Sequence, residues 1–195
     1  ELYWYKKISM KNSIRISGGT LKGKKVPFDF KSSLRPTSNK LKEILFNWLQ
    51  FEIKDSICLD LFAGTGSIGI EAVSRGSVKT VFVELNKRNY SQLSKTLISL
   101  DLKEKTMVFF KDAKTWIRNN DLSDFDLIFL DPPFEENYEL KILNLLIQNK
   151  NLKSSCKIYL EYSKFTDLEI PKSISILKEK SVGDVKALLL CINEN

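Results

Sequence analysis

The stretch that most constrains this chain is Cys58-Leu59-Asp60-Leu61-Phe62-Ala63-Gly64-Thr65-Gly66-Ser67-Ile68-Gly69. The apolar run from Ile57 to Phe62 reads as a buried strand, a glycine-rich turn follows it, and Ile68 to Val73 reads as the start of a helix. Strand, turn and helix in that order open a nucleotide-binding α/β unit. Gly64 and Gly66 let the backbone turn tightly and come close to a ligand. Gly69 lets the helix pack closely on the strand.

The same G-x-G-x-x-G spacing fits a dinucleotide fingerprint. Asp60, at the carboxyl end of the strand, tilts the choice. A carboxylate there repels a pyrophosphate seeking the helix N-terminus and favours a ligand with a cationic end. S-adenosylmethionine has an ammonium, a sulfonium and no phosphate.

Further along, strands and helices alternate. The pattern predicts strands over Thr80–Glu84, Met107–Phe110, Asp126–Leu130 and Lys157–Tyr162. It predicts helices over Ser67–Arg75, Lys87–Leu100, Ala113–Asn119 and Glu139–Gln148. Such alternation argues a parallel sheet covered by helices on both faces. Ser173–Lys178 and Val185–Ile192 break the rhythm, because Val182-Gly183-Asp184 leaves no room for a helix between them; they must pair antiparallel. A mostly parallel α/β sheet ending in an antiparallel hairpin is the outline of the class I, Rossmann-like methyltransferase fold. Upstream, Ser13–Ser17 and Leu21–Val26 read as a hairpin around Gly18-Gly19-Thr20. Leu41, Ile44, Leu45, Trp48 and Leu49 mark one face of a helix from Lys40 to Phe51, which Thr37 or Ser38 can cap. The expected organisation is an N-terminal extension over 1–50 and a catalytic domain over 51–195. Met10 is a candidate natural start, with residues 1–9 an added lead.

Charge separates these two parts. Residues 1–50 carry eleven Lys and Arg against three acids, whereas the rest is nearly balanced; the whole chain has a net charge of +7. A basic arm on a neutral domain suits a polyanion, and nucleic acid leads the candidates. Arg15, Lys22, Lys24 and Lys25 lie on the predicted hairpin. The chain has no histidine and three scattered cysteines, Cys58, Cys156 and Cys191, which leaves His-based zinc sites and the common catalytic triads without ligands. Cysteines in apolar strands read as buried free thiols suited to a reducing cytoplasm. No apolar run has the length of a membrane span and no secretory signal is evident.

In open α/β sheets the ligand sits beyond the carboxyl ends of the strands. Glu84 ends the second strand, where an acid can hold ribose hydroxyls. Asp112-Ala113 follows the third, where a carboxylate can accept from an adenine amine and a small residue leaves room for the ring. Each acid also fits a plain helix cap. After the fourth strand comes Asp131-Pro132-Pro133-Phe134. The prolines fix φ and remove two donors, so the carbonyls of Asp131 and Pro132 can serve as acceptors. Acceptors beside the flat face of Phe134 suit an exocyclic amine on a stacked base.

These residues are similar to those of the bacterial RsmD family, which methylates guanine N2 in 16S ribosomal RNA. The resemblance runs from Ile14 nearly to the end. It includes Arg15-Ile16-Ser17-Gly18-Gly19, Lys22-Gly23-Lys24, Arg35-Pro36-Thr37, Glu43 to Asn47, Leu59 to Gly69, Val83-Glu84, Asp112-Ala113 and Asp131 to Phe134. Arg-Pro-Thr separates this family from general amino-methyltransferases. Ser77 departs from the family's usual Ala.

The resemblance implies S-adenosylmethionine as donor and 16S rRNA in a 30S assembly intermediate as partner. It implies a cofactor site of Asp60, Phe62, Ala63, Gly64, Gly66, Glu84, Asp112, Ala113 and Thr37. Asp131, Pro132 and Phe134 would serve catalysis, and Arg15, Lys22, Lys24, Lys25 and Arg35 would touch RNA. A cytoplasmic monomer with no metal and no membrane contact is expected. The rival readings are an adenine-N6 methyltransferase, an NAD-dependent oxidoreductase and a non-catalytic RNA-binding protein.

Overall fold

The structure is a computed structural model, and it describes residues 13–27, 38–133 and 138–193 of the 195-residue chain. It begins with a short hairpin, β1 (Ser13–Arg15) and β2 (Lys25–Pro27), paired antiparallel with Ile14 opposite Val26. Helix α1 (Asn39–Trp48) follows, and its Ser38 cap accepts a hydrogen bond from Leu41 N. Then come β3 (Ile57–Asp60), α2 (Ser67–Ser74), β4 (Lys79–Glu84), α3 (Lys87–Ser99), β5 (Thr106–Phe110), α4 (Ala113–Asn119) and β6 (Leu127–Leu130). The chain continues with α5 (Tyr138–Gln148), β7 (Lys157–Ser163), β8 (Ile174–Val182) and β9 (Val185–Ile192). One short 3₁₀ turn, Lys103–Lys105, has no counterpart in the sequence reading.

The main sheet has seven strands in the order β5-β4-β3-β6-β7-β9-β8. The first five run parallel; β9 pairs antiparallel with β7 and with β8. Chain direction across the sheet reverses between β3 and β6, which makes that pair the topological switch point. Side chains alternate between two apolar layers. Leu59, Ile128, Leu130, Ile158 and Leu160 face α4 and α5, packing with Trp116, Ile117, Ile142, Leu143 and Leu146. Cys58, Phe129, Tyr159 and Leu189 face the other way, toward Leu41, Leu45 and Phe46 of α1, Leu49 just past its end, and Ile68 and Ala72 of α2. Helix α1 is thus part of the cover of the main sheet.

Besides shifted element ends, such as α1 stopping at Trp48 rather than Phe51, the structure departs from the sequence reading in three further respects. The hairpin is shorter than expected: Leu21 to Lys24 lie in the turn rather than in a strand. Their neighbourhood bonds elsewhere, with Thr20 N donating to the Ser74 carbonyl at 2.7 Å and Leu21 N to Ser74 Oγ at 2.9 Å. A side chain at Gly19 would overlap the Ser74 carbonyl, and its φ of +76° suits glycine. Second, β8 runs on to Val182, because an edge strand can present the polar run Lys178-Glu179-Lys180-Ser181 to water. Third, Cys191 is only half-buried, while Cys58 and Cys156 are buried; all three are free thiols.

Candidate active site

The glycine turn is built by the demands of its neighbours. Gly66 caps α2 from the left-handed region, φ +76°, and a Cβ there would also strike Leu93 of α3. A Cβ at Gly69 would fall on the Phe82 ring of β4, so helix and strand touch through the missing side chain. Ala63 N is fixed by the Val83 carbonyl at 3.0 Å, and Gly66 N by the Ala63 carbonyl at 2.6 Å. Phe62 is half-buried and meets Tyr138 edge-on, with ring centroids 5.8 Å apart.

Three acids gather at the strand ends beside this turn. Asp60 is 4% exposed and accepts from Gly69 N at 3.2 Å. Burial pushes its carboxyl up to about 7; the Gly69 N–H opposes the rise, and the charges of Asp131 and Glu84 add to it. Glu84 is buried, which raises its pKa despite hydrogen bonds from Asn86 N at 2.6 Å and Gly64 N at 2.7 Å. Glu84 therefore ties the end of β4 to the glycine turn. Asp131 is half-buried, Pro132 buried and Pro133 exposed. Asp60 ends β3 and Asp131 directly follows β6, so they flank the switch point.

Asp112 caps α4, accepting from Thr115 N at 2.9 Å and from Thr115 Oγ1 at 3.0 Å, both on Oδ1. This cap fixes the helix start, and Ala113 beside it is buried. Arg15, Lys22, Lys24 and Lys25 are all exposed, while Ile14, Ile16 and Val26 of the same hairpin are buried. Arg35, Thr37 and Phe134 lie outside the described residues.

Two groups at the site went unread in the sequence. The first is a buried knot beneath the hairpin. Lys42 Nζ donates to Glu71 Oε2 at 3.3 Å and to the Arg15 carbonyl at 3.1 Å. Arg75 donates to Glu71 Oε1 through Nη2 at 2.8 Å and Nε at 3.0 Å, and Ser17 Oγ also bonds that oxygen. An acid inside the apolar run Ile68 to Val73 is the signal that could have exposed it. The second is Glu161, 2% exposed near the end of β7, which accepts from Tyr159 Oη at 2.7 Å. An acid near a strand's carboxyl end was its legible sign.

The acid set fits a cationic ligand. Asp60, Glu84 and Asp131 stand at the ends of three neighbouring strands, and burial raises the pKa of the first two; a positive group beside them would favour their ionised forms, whereas a phosphate would oppose them. Sheet order, glycine turn and these acids together define a class I S-adenosylmethionine-dependent methyltransferase. Within that class, the chain belongs to the family described as "Conserved hypothetical protein 95", whose model matches residues 14–191; this is the RsmD family that the sequence resembles. The chain is 40% identical over 177 residues to "Ribosomal RNA small subunit methyltransferase D" of Haemophilus influenzae, covering 90% of this chain and 92% of that protein. The Escherichia coli protein of the same name is 35% identical over 173 residues, covering 88% and 86%. The solved structure of yhhF from Escherichia coli superposes with a TM-score of 0.83 at 32% identity, covering 93% of this chain and 98% of that one.

Proposed function

We propose that this chain methylates the exocyclic N2 amine of a guanine in 16S ribosomal RNA, within a small-subunit assembly intermediate, using S-adenosylmethionine. The observation that carries this reading is the placement of Asp131-Pro132-Pro133 across the switch point from Asp60 and the glycine turn. The names of the relatives support a small-subunit rRNA substrate. When bound, S-adenosylmethionine supplies a methyl group on a sulfonium, already an excellent leaving group.

The protein's share of the work is mainly placement. Asp60 would face the cationic end of the cofactor, Glu84 its ribose, and Asp112 with Ala113 its adenine; Phe62, Ala63, Gly64, Gly66 and Thr37 would complete that pocket. Guanine N2 is a poor nucleophile because its lone pair is spread into the ring. Asp131 and the Pro132 carbonyl would accept its two N–H groups, aim the lone pair and stabilise the positive charge that develops on nitrogen. Phe134 would stack the base. A paired guanine cannot reach such a site, so the target must be unpaired or flipped.

The exposed cations Arg15, Lys22, Lys24 and Lys25, together with Arg35, would hold RNA phosphates. The hairpin side of the 1–50 extension would thus contact RNA, while its helix α1 covers the sheet of the 51–195 catalytic part of a cytoplasmic monomer. Among the described residues, no helix is long and apolar enough to cross a membrane.

The test is methylation of 30S particles from a strain lacking the activity, followed by nucleoside analysis. Wild type should yield N2-methylguanosine. Asp131→Ala should keep fold and cofactor affinity but lose about a hundredfold in kcat. Methylated adenosine as product, or an Asp131→Ala variant at wild-type rate, would reject the reading.

A further inference from the structure

Asp131 has a neighbour that the scheme above leaves idle. The last register pair of β6 and β7 is Leu130 with Leu160. Glu161 is the next residue on β7, and Asp131 is the first residue beyond β6, so the two follow directly from a pair of strands spaced roughly 5 Å apart. Leu130 and Leu160 belong to one core layer, and Phe129 and Tyr159 to the other. By alternation, Asp131 and Glu161 share the face of Phe129 and Tyr159, which is also the face of Asp60.

Glu161 is held from below. Tyr159 Oη donates to its Oε1 at 2.7 Å, and the Tyr159 ring is itself set edge-on against Trp48 of α1, centroids 6.5 Å apart. On its other flank Glu161 is paired with Ala187 of β9, which brings no charge. The nearest cation of β9, Lys186, is paired in register with Tyr162 and bonds Glu179 at 3.1 Å. The charge that acts on Glu161 is that of Asp131.

We propose that Glu161, clamped by Tyr159, is a positioning residue that holds the Asp131 carboxylate toward the substrate amine. The inference rests on the proposed function and deepens it. Two carboxylates side by side at the edge of a core do not both ionise easily. Burial raises the Glu161 pKa well above its ordinary value, and the Asp131 charge raises it further, against the Tyr159 hydrogen bond. Asp131 is the better solvated of the two, so Glu161 is the member of the pair that more readily keeps its proton. A neutral Glu161 packs beside Asp131 without repelling it and fixes where that single charge sits.

Glu161→Ala should lower kcat about tenfold to a hundredfold, the usual effect of a misplaced catalytic group, with KM for both substrates nearly unchanged. Glu161→Gln, neutral and of equal shape, should retain most of the rate. A wild-type kcat in Glu161→Ala, or a Gln variant as slow as Ala, would overturn the proposal.

Carbon-13 NMR of the side-chain carboxyls in the free protein gives a readout independent of turnover. Glu161 should be protonated near neutral pH, and its midpoint should fall in Asp131→Asn. An ionised Glu161, or a midpoint that Asp131→Asn does not move, would also overturn it. If wild type methylates no 30S particles, the proposed function fails while the NMR result still decides the pairing.

Discussion

The Lys42 ammonium lies 3.3 Å from the Glu71 carboxylate, and neither side chain has any exposed surface. This contact joins α1 to α2, and α2 begins at the glycine turn. Around it Ser17 and Arg75 bond the same carboxylate, so the basic hairpin is bolted to the helix that shapes the cofactor site. A side chain at Gly18 would collide with the Arg75 guanidinium, which lies 4.8 Å above the Phe46 ring. Burial lowers the Lys42 pKa while Glu71 pulls it back up. For Glu71, burial acts upward, but hydrogen bonds from Ser17 and Arg75 and the Lys42 charge outweigh it and lower its pKa.

An unequal cost of breaking this knot is expected. Glu71→Gln leaves Lys42 buried without its counter-ion and should cost about 3–5 kcal/mol. Lys42→Met leaves Glu71 still bonded to Arg75 and Ser17 and should cost less. Urea unfolding of both variants measures the order; equal losses would mean that charge balance is not what holds the hairpin. The sign with pH follows from the lowered Glu71 pKa. Its stabilisation is present above the unfolded carboxyl value and is lost as pH falls through the folded one.

Asp60 should make cofactor binding proton-linked. Its carboxyl, raised to about 7, keeps its proton over much of the range below that value in the free protein. A cation placed beside it favours ionisation, so binding should release protons below about pH 7, and affinity should rise with pH until Asp60 is ionised in the free protein as well. Calorimetry in two buffers of different ionisation heat measures the release. The same raised pKa makes ionised Asp60 a burden on the fold: its cost grows as pH climbs from the unfolded value toward 7 and is constant above. Asp60→Asn should therefore gain more stability at alkaline than at acid pH.

Glu84 carries two duties. Glu84→Ala should weaken S-adenosylmethionine binding by about 1.5–3 kcal/mol, the range for hydrogen bonds to a charged group. It should also lower the melting temperature, because the buried Gly64 N–H and the Asn86 N–H lose their acceptor. Calorimetry on a folded variant with unchanged affinity would rule out the ribose contact while leaving the structural one.

The hairpin cations should act through phosphate. Replacing Lys22, Lys24 and Lys25 by Ala should flatten the salt dependence of RNA binding by about 0.7–0.9 in log–log slope for each phosphate no longer neutralised. Cofactor affinity should stay the same. Filter binding over a series of salt concentrations gives the slope, and an unaltered slope would mean that these side chains meet only solvent.

Much of this molecule could be read from residue order. The alternation of apolar runs with helical faces determined the parallel sheet, because period and burial are local properties. Val182-Gly183-Asp184 determined the final hairpin, since three residues cannot cross a sheet. Gly66 and Gly69 marked the turn whose backbone admits no side chain. Asp60, Glu84, Asp112 and Asp131 were legible as strand-end acids because each ends or follows a strand, and parallel strands put all such ends on one edge.

What the sequence could not decide is which distant side chains share a low-dielectric interior. Lys42 sits one residue from a core leucine and looks like a solvent-facing lysine; only the closure of α1 over α2 buries it against Glu71, 29 residues away. Glu161 reads as one polar residue in an apolar strand. It becomes Asp131's neighbour only through the register of β6 and β7, which is set by packing of both strands in the sheet and by nothing local to either.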